Sequence, residues 1–437
     1  MINDDSKPWT PVCVASTEPQ LETGPFPNSS PPFLRSISAS IKSEPEDDYK
    51  AASLDPACNF YKSAEWPPDL LENKQVHQLS PYSTLPSAEP TYSTAIYPFY
   101  NLSDPSTTLF LSSVRDHPIR LSSALAPTNM ASYSLVNPMT EAYITPHSMI
   151  YPSVLGGTHF LTGSDSLISL FDISRSGNEG PISSIPTIPS KRKQIVGGGI
   201  GMKGIVSALA VNPSGDGVLA AGTFTRNIGL YSSNGSGESL GTFSIAKTEA
   251  NRDIGGRGVT QLVWSPCGRY LYIAERKSDG VLVYDIRVLG QMLGHLRGRK
   301  AFTNQRMRID VVPSGPDGSH EVWAGGTDGF MRVWRDPIFS AGGKDPDWQF
   351  RVHEDAVTST VLHPMGNVVA TCSGQRHYDH DYCSADEDSP VTNARNVDNS
   401  LKVWSMPFLN SESDVDHELD DREYSERESS HQDESRF

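Results

Sequence analysis

Residues 259–285 read VTQLVWSPCGRYLYIAERKSDGVLVYD. An apolar run leads into a turn carrying Pro266 and Gly268. A second strand follows, then a polar turn with Arg276 and Lys277, then a third strand ending in Tyr284. Val281 and Val283 alternate as half-buried strand positions do. The same order recurs on both sides: HSMIYPSVLGGTHFLTGSDSLISLFD from His147, IVSALAVNPSGDGVLAAGTFTRNIGLY from Ile205, RIDVVPSGPDGSHEVWAGGTDGFMRVW from Arg308, and VTSTVLHPMGNVVATCSGQR from Val357 with SLKVW ending at Trp404. The turn prolines Pro152, Pro213, Pro266, Pro313 and Pro364 are 61, 53, 47 and 51 residues apart. A fixed-order strand repeat near this length signals a β-propeller, in which each blade buries its faces against its neighbours. Small residues in the second strands (Ala220, Ala221 and Gly222; Ala324 and Gly325; Ala370 and Ser373) fit close approach around a central channel.

Further blades lie outside these five repeats. TTLFLSSVRDHPIRL, from Thr107 to Leu121, supplies two strands around a polar turn and makes a sixth. Asn59, Phe60 and Tyr61 mark a strand ahead of a Pro/Ser-rich stretch, read here as the stub of a shortened seventh. Residues 1–57 are rich in Pro, Ser, Glu and Asp without periodicity, and are expected to be disordered. Residues 411–437 form an acidic run expected to stay extended, leaving 58–410 for the propeller. The start, MINDDSKPWT, has acids and a proline where a secretory leader has bases and an apolar core. Five scattered cysteines, with no CxxC pair, argue for a reducing compartment and against a disulfide framework or a zinc site. No apolar run reaches the roughly 18 residues of a membrane helix.

The net charge of −16 is unevenly held. Residues 1–58 carry −5 and residues 411–437 carry −8, whereas 252–308 holds eleven bases against four acids. In a propeller, the turn between the second and third strands shares a rim with the loop entering the first. The turns carry Arg115, Arg226, Arg276, Lys277 and Arg376, and the entering loops carry Lys203, Arg252, Arg257, Arg297, Arg299, Lys300 and Arg306. A ring of such groups around a funnel suits a phosphate backbone, since each contact releases counterions and arginine grips phosphate bidentately. Pairing with local acids such as Asp116, Asp253 and Asp279 is the plainer alternative. The loop 377–390, with five acids, opposes the basic ring or offers a site for a basic protein.

Catalytic constellations are missing from the sequence, so no enzyme is expected. His377, Asp379, His380, Asp381 and Cys383 sit in a loop with nothing to fix ligand geometry, so no metal is assigned. No cofactor or small-molecule substrate is implied; the glycine run 197–201 lacks the setting of a phosphate loop. His147 and His353, just ahead of inner strands, are expected to bond between blades. Ile41-Lys42-Ser43-Glu44 has the form of a sumoylation acceptor, with Lys42 as the modified residue, but such four-residue patterns are common by chance and a plain solvated tail is the default reading.

Laid out in order, several segments resemble the telomerase Cajal body protein family of WD-repeat proteins. They are Arg115 to Leu121 (RDHPIRL), Pro146-His147-Ser148, Gly222-Thr223-Phe224 with Arg226, Arg276-Lys277-Ser278, Thr303-Asn304-Gln305-Arg306 followed by Asp310, and Ser373-Gly374-Gln375-Arg376. The resemblance runs from about Asn59 to Trp404. It implies a nuclear, non-catalytic propeller that binds small nuclear RNA of the H/ACA, telomerase or spliceosomal kind and assists its localisation or ribonucleoprotein assembly. Its protein partners would be ribonucleoprotein components. The candidate RNA-binding residues are then Arg115, Arg226, Arg257, Arg276, Lys277, Thr303, Asn304, Gln305, Arg306, Gln375 and Arg376. Planar amide and guanidinium groups suit splayed bases, although Gln305 and Gln375 could instead bond neighbouring blades. The alternative is a protein–protein scaffold, in pre-mRNA splicing or as a G-protein-β-like adaptor. The prolines of 1–57 and the lack of heptads disfavour the coiled coil such an adaptor carries.

Overall fold

Period-2 apolar patterning and proline turns set the local structure, and the chain is almost entirely β. The computed structural model describes residues 10–17, 37–40, 50–54, 57–61, 75–87, 89, 91–101, 104–126, 128–188, 201–315, 318–339, 342–363, 368–374 and 398–406. Seven small sheets make the blades of a β-propeller. Blade 1 is Ile37–Ser40, Lys50–Leu54, Ala57–Tyr61 and Pro81–Pro86; blade 2 is Thr91–Ile96, Leu109–Val114, Ile119–Ser123 and Asn129–Tyr133. Blade 3 is Ser148–Ile150, His159–Ser164, Leu167–Asp172 and Ser183–Pro186; blade 4 is Val206–Val211, Leu219–Thr223, Asn227–Tyr231 and Ser239–Ser244. Blade 5 is Val259–Trp264, Tyr270–Glu275, Val281–Asp285 and Gln291–Leu296, and blade 6 is Ile309–Pro313, His320–Gly325, Phe330–Arg335 and Trp348–Arg351. The four strands of each of blades 2 to 6 form an antiparallel meander, and Gly342–Lys344 adds a parallel strand outside Gln291–Leu296 of blade 5. No helix among the described residues is long and apolar enough to cross a membrane.

Blade 7 corrects the reading of the N-terminal region. Val357–Leu362, Val368–Ser373 and Leu401–Ser405 are joined by Val12–Thr17, which pairs antiparallel with Leu401–Ser405. His77–Leu79 then adds a parallel strand outside Val12–Thr17. The propeller therefore begins at Val12 rather than near residue 58, and this part of 1–57 is ordered strand. Val14 and Ala15 are buried with Leu401 and Val403, and the Leu401 amide donates to Thr17 Oγ1 at 3.0 Å. Joining the first described strand to the last blade closes the ring and hides an otherwise unpaired edge. The strand foreseen near residue 60 is likewise one of four in blade 1, with partners drawn from segments read as featureless because they lack apolar alternation.

Apolar clusters fill the spaces between blades, and polar side chains on the first and second strands stitch them together. Ser113 Oγ donates to Pro146 O (2.8 Å), Ser148 Oγ to Val206 O (2.8 Å) and Ser207 Oγ to Val259 O (2.6 Å). Gln261 both donates to and accepts from the backbone of Ile309, at 2.9 and 2.7 Å. Asp310 accepts from the Leu362 amide at 2.9 Å, spanning blades 6 and 7. Such bonds satisfy edge groups that the channel wall would otherwise leave unpaired. His353 joins two blades, as expected of it: its amide donates to Gly329 O in blade 6 at 3.2 Å, and its ring belongs to a network in blade 7. Its ring meets Asp398 at 3.1 Å and Thr371 Oγ1 at 2.8 Å, and Trp404 Nε1 donates to the same hydroxyl at 2.8 Å. Burial pushes the His353 imidazole below its ordinary pKa.

Candidate nucleic-acid interface

The inner strands of blades 2 to 5 and the loop 303–308 surround a channel cavity of about 1250 Å³. Phe224 stands at its mouth, on the turn between the second and third strands of blade 4, half-buried. Two guanidinium groups approach its ring from neighbouring loops. The Arg276 guanidinium carbon is 4.5 Å from the ring centroid and that of Arg306 is 5.8 Å away. Both distances lie within cation–π range. Arg276 Nε donates to Arg257 O at 3.2 Å, and Arg306 Nη2 donates to His147 O at 3.0 Å. The His147 ring lies 4.8 Å from Tyr92, so this histidine does link loops across the channel mouth. Burial, then the charge of Arg306, holds the His147 imidazole below its ordinary pKa.

The other candidates divide by what they touch. Arg257 is exposed, and Lys277, half-buried with φ 49°, donates its amide to Thr303 O at 2.7 Å. Thr303 Oγ1 accepts from the Gln305 amide at 3.1 Å, and Asn304 is exposed. The Gln305 side chain donates to Gly374 O at 2.7 Å, which ties the loop into blade 6 to the end of a blade 7 strand. Arg115 lies on blade 2, exposed and 3.4 Å from Asp116. Gln375, Arg376, the acidic loop 377–390, the cluster from His377 to Cys383, Lys42 and the acidic C-terminal segment lie outside the described residues. Among the described residues no group of three or more His, Cys, Asp or Glu could hold a metal ion.

Several bases assigned to the rim serve the fold. Arg226 donates to both Glu275 oxygens at 2.7 Å and to Asn251 Oδ1 at 2.7 Å; the Arg226 and Glu275 side chains are 13 % and 1 % exposed. Arg299 is fully buried and donates to Met307 O, and burial pushes its pKa down to about 10. Arg297 pairs with Asp345 through two bonds of 2.7 Å. Position along the chain foresaw neither these partnerships nor the aromatic elements. Phe224 and the 65 % exposed Phe302 were the missed signals: aromatic residues in polar rim turns, next to bases.

Bringing Arg257, Arg276, Lys277, Thr303 and Arg306 around Phe224 creates a positive surface with an aromatic face, chemistry suited to the backbone and bases of a single strand. No protein-family model matches the chain. It is 30 % identical over 359 residues to guanine nucleotide-binding protein negative regulator 1 of Schizosaccharomyces pombe, covering 76 % of this chain and 83 % of that protein. It is 27 % identical to telomerase Cajal body protein 1 of Bos taurus over 397 residues, covering 86 % of this chain and 68 % of the bovine protein. Against the protein of that name from Homo sapiens it is 27 % identical over 396 residues, covering 86 % and 66 %. With the propeller, these similarities place the chain in the telomerase Cajal body protein family of WD-repeat proteins and their fungal relatives.

Proposed function

We propose that the protein is a nuclear RNA-binding scaffold that holds a single-stranded segment of a small nuclear RNA on the rim around Phe224. It would thereby aid localisation or ribonucleoprotein assembly, with no chemistry of its own. The observation that carries this reading is the stacking of Arg276 and Arg306 against one aromatic ring at the channel mouth. Guanidinium planes and aromatic faces accept bases of any identity, while Arg257 and Lys277 neutralise phosphate. Gln305 serves mainly as a clamp to Gly374, and Arg226 as the support beneath the rim. Gln375 and Arg376 complete the candidate set on sequence grounds. The name telomerase Cajal body protein, carried by several relatives, supports a nuclear ribonucleoprotein setting; the partner proposed within it is H/ACA-type, telomerase or spliceosomal RNA. Binding of labelled small nuclear RNA to the full chain tests it: Arg276→Glu/Arg306→Glu is expected to lose affinity steeply, and unchanged affinity would overturn the reading.

The name of the fission-yeast relative, a negative regulator of a guanine nucleotide-binding protein, favours a second reading as a protein scaffold. Under that reading, protein partners recovered with the tagged chain would survive the same double substitution.

A further inference from the structure

Beside the channel mouth lies a second cavity of about 520 Å³, set between the rims of blades 4 and 5. Phe224 forms a wall of both cavities. The second falls within the ~300–1,000 Å³ of small-ligand sites. Phe302 closes one side and is 65 % exposed, a large apolar ring held in water. Arg257 and Lys277 flank it, and neither makes an ion pair with a described residue. Backbone approaches closely here: Gly256 has φ +130°, and a Cβ on it would lie 2.3 Å from Glu275 Oε2 and 2.7 Å from Arg226 Nη2.

Asn251 supplies the polar edge of this pocket. Its Oδ1 is taken by Arg226 at 2.7 Å, and Arg226 is itself fixed by the buried Glu275. The amide is thus locked with its oxygen inward, which leaves Nδ2 as the group to offer a ligand. Asparagine recognises adenine by donating to N7 and accepting from N6 together; here Oδ1 is turned to Arg226, so the amide offers the pocket its donor without the matching acceptor. Arg257 and Lys277 are also pure donors. The ligand must therefore bring negative charge, an aromatic face and an edge of acceptors free of a neighbouring amino group. Guanine O6 with N7 or uracil O4 provides that edge; adenine, whose N1 and N7 both flank the N6 amino group, does not.

We infer that this pocket takes one extruded nucleotide of the bound strand, its base a keto base, uracil or guanine, in preference to adenine. The base stacks on Phe302, its carbonyl accepts from Asn251 Nδ2, and Arg257 and Lys277 hold its phosphate. This rests on the RNA reading above and adds to it a place and a base preference.

The test is fluorescence anisotropy of the full chain with fluorescein-labelled octauridylate and octaadenylate. Wild type is expected to bind octauridylate about fivefold or more tightly than octaadenylate. Phe302→Ala, at an exposed ring whose loss should not shift the melting temperature, is expected to weaken octauridylate about tenfold. Asn251→Asp keeps an acceptor for Arg226 and removes the outward donor, so the preference is expected to fall to near unity. Arg306→Glu, at the channel mouth, should weaken both oligonucleotides alike. If Phe302→Ala and Asn251→Asp keep wild-type affinity and preference while Arg306→Glu loses binding, the pocket is overturned and the rim reading stands. If wild type binds neither oligonucleotide, both fall. Crosslinks from a 4-thiouridine octamer that map to the peptides carrying Asn251, Arg257 or Phe302 would support the placement; crosslinks confined to other peptides would contradict it.

Discussion

Arg226 and Arg276 occupy the same turn in adjacent blades, each just past a second strand, and they do different work. Arg226 lies over Glu275, a carboxylate from the next blade, and is spent in a bidentate pair with little solvent contact. Arg276 follows that glutamate directly in the chain and makes no ion pair with a described residue; it rests on Phe224 and a backbone carbonyl. A base on a propeller rim is open to a ligand only where the neighbouring blade offers it no carboxylate. The same contrast separates Arg299, buried, and Arg297, paired with Asp345, from Arg257, which is exposed and makes no ion pair with a described residue.

The largest expected effect tests the buried half of this contrast. Arg226→Ala leaves Glu275 charged and enclosed, so unfolding free energy should drop by about 3–5 kcal/mol. Arg276→Ala should cost less than ~1 kcal/mol. Urea unfolding of both variants checks the pair, and equal losses would erase the distinction between them. Next in size is the rim: Arg276→Glu/Arg306→Glu should weaken small nuclear RNA binding about 10–100-fold with little change in melting temperature, since charge repulsion replaces stacking and phosphate contact. A double variant that melts early would move these two arginines into the structural group.

Asp310 offers a milder probe of the buried side. Burial raises its carboxyl to about 6, against the pull of the Leu362 and Val311 amides. The folded state therefore holds this proton up to about pH 6, while the unfolded chain releases it near 4. The stabilisation is complete below about pH 4 and is lost as pH rises through 6. Asp310→Asn should accordingly raise the melting temperature by about 1–3 °C at pH 8 and hardly at pH 5. The opposite trend would show that the carboxylate is needed ionised. Smallest of all, Lys277→Gln should reduce the slope of log affinity against log salt by about 0.7, the weight of one single-strand phosphate contact.

Much of the fold was legible because blades 3 to 7 repeat their proline turns and small-residue strands in order. The N-terminal strand was not. VCVAST at 12–17 is six residues among prolines and acids, and its partner, Leu401–Ser405, lies at the far end of the ring. No local pattern announces such a pairing. At the site, charge position placed Arg257, Arg276, Lys277 and Arg306 on one rim. It could not separate them from Arg226 and Arg299, because that depends on Glu275 and Met307 meeting them in space. Phe224 stood within a quoted motif, yet only the geometry shows two guanidiniums converging on it. Asn251, in a single helical turn ahead of blade 5, carried no signal at all, since its role depends on which of its atoms Arg226 engages.

The central claim, that this rim holds RNA, is tested most directly by ultraviolet crosslinking of the tagged protein in its own cells and sequencing of the RNA recovered. Wild type should enrich small nuclear RNA of the H/ACA, telomerase or spliceosomal kind, and Arg276→Glu/Arg306→Glu should lose it while melting as wild type does. Recovery of no RNA above background, or of the same RNAs with the substituted rim, would contradict the account.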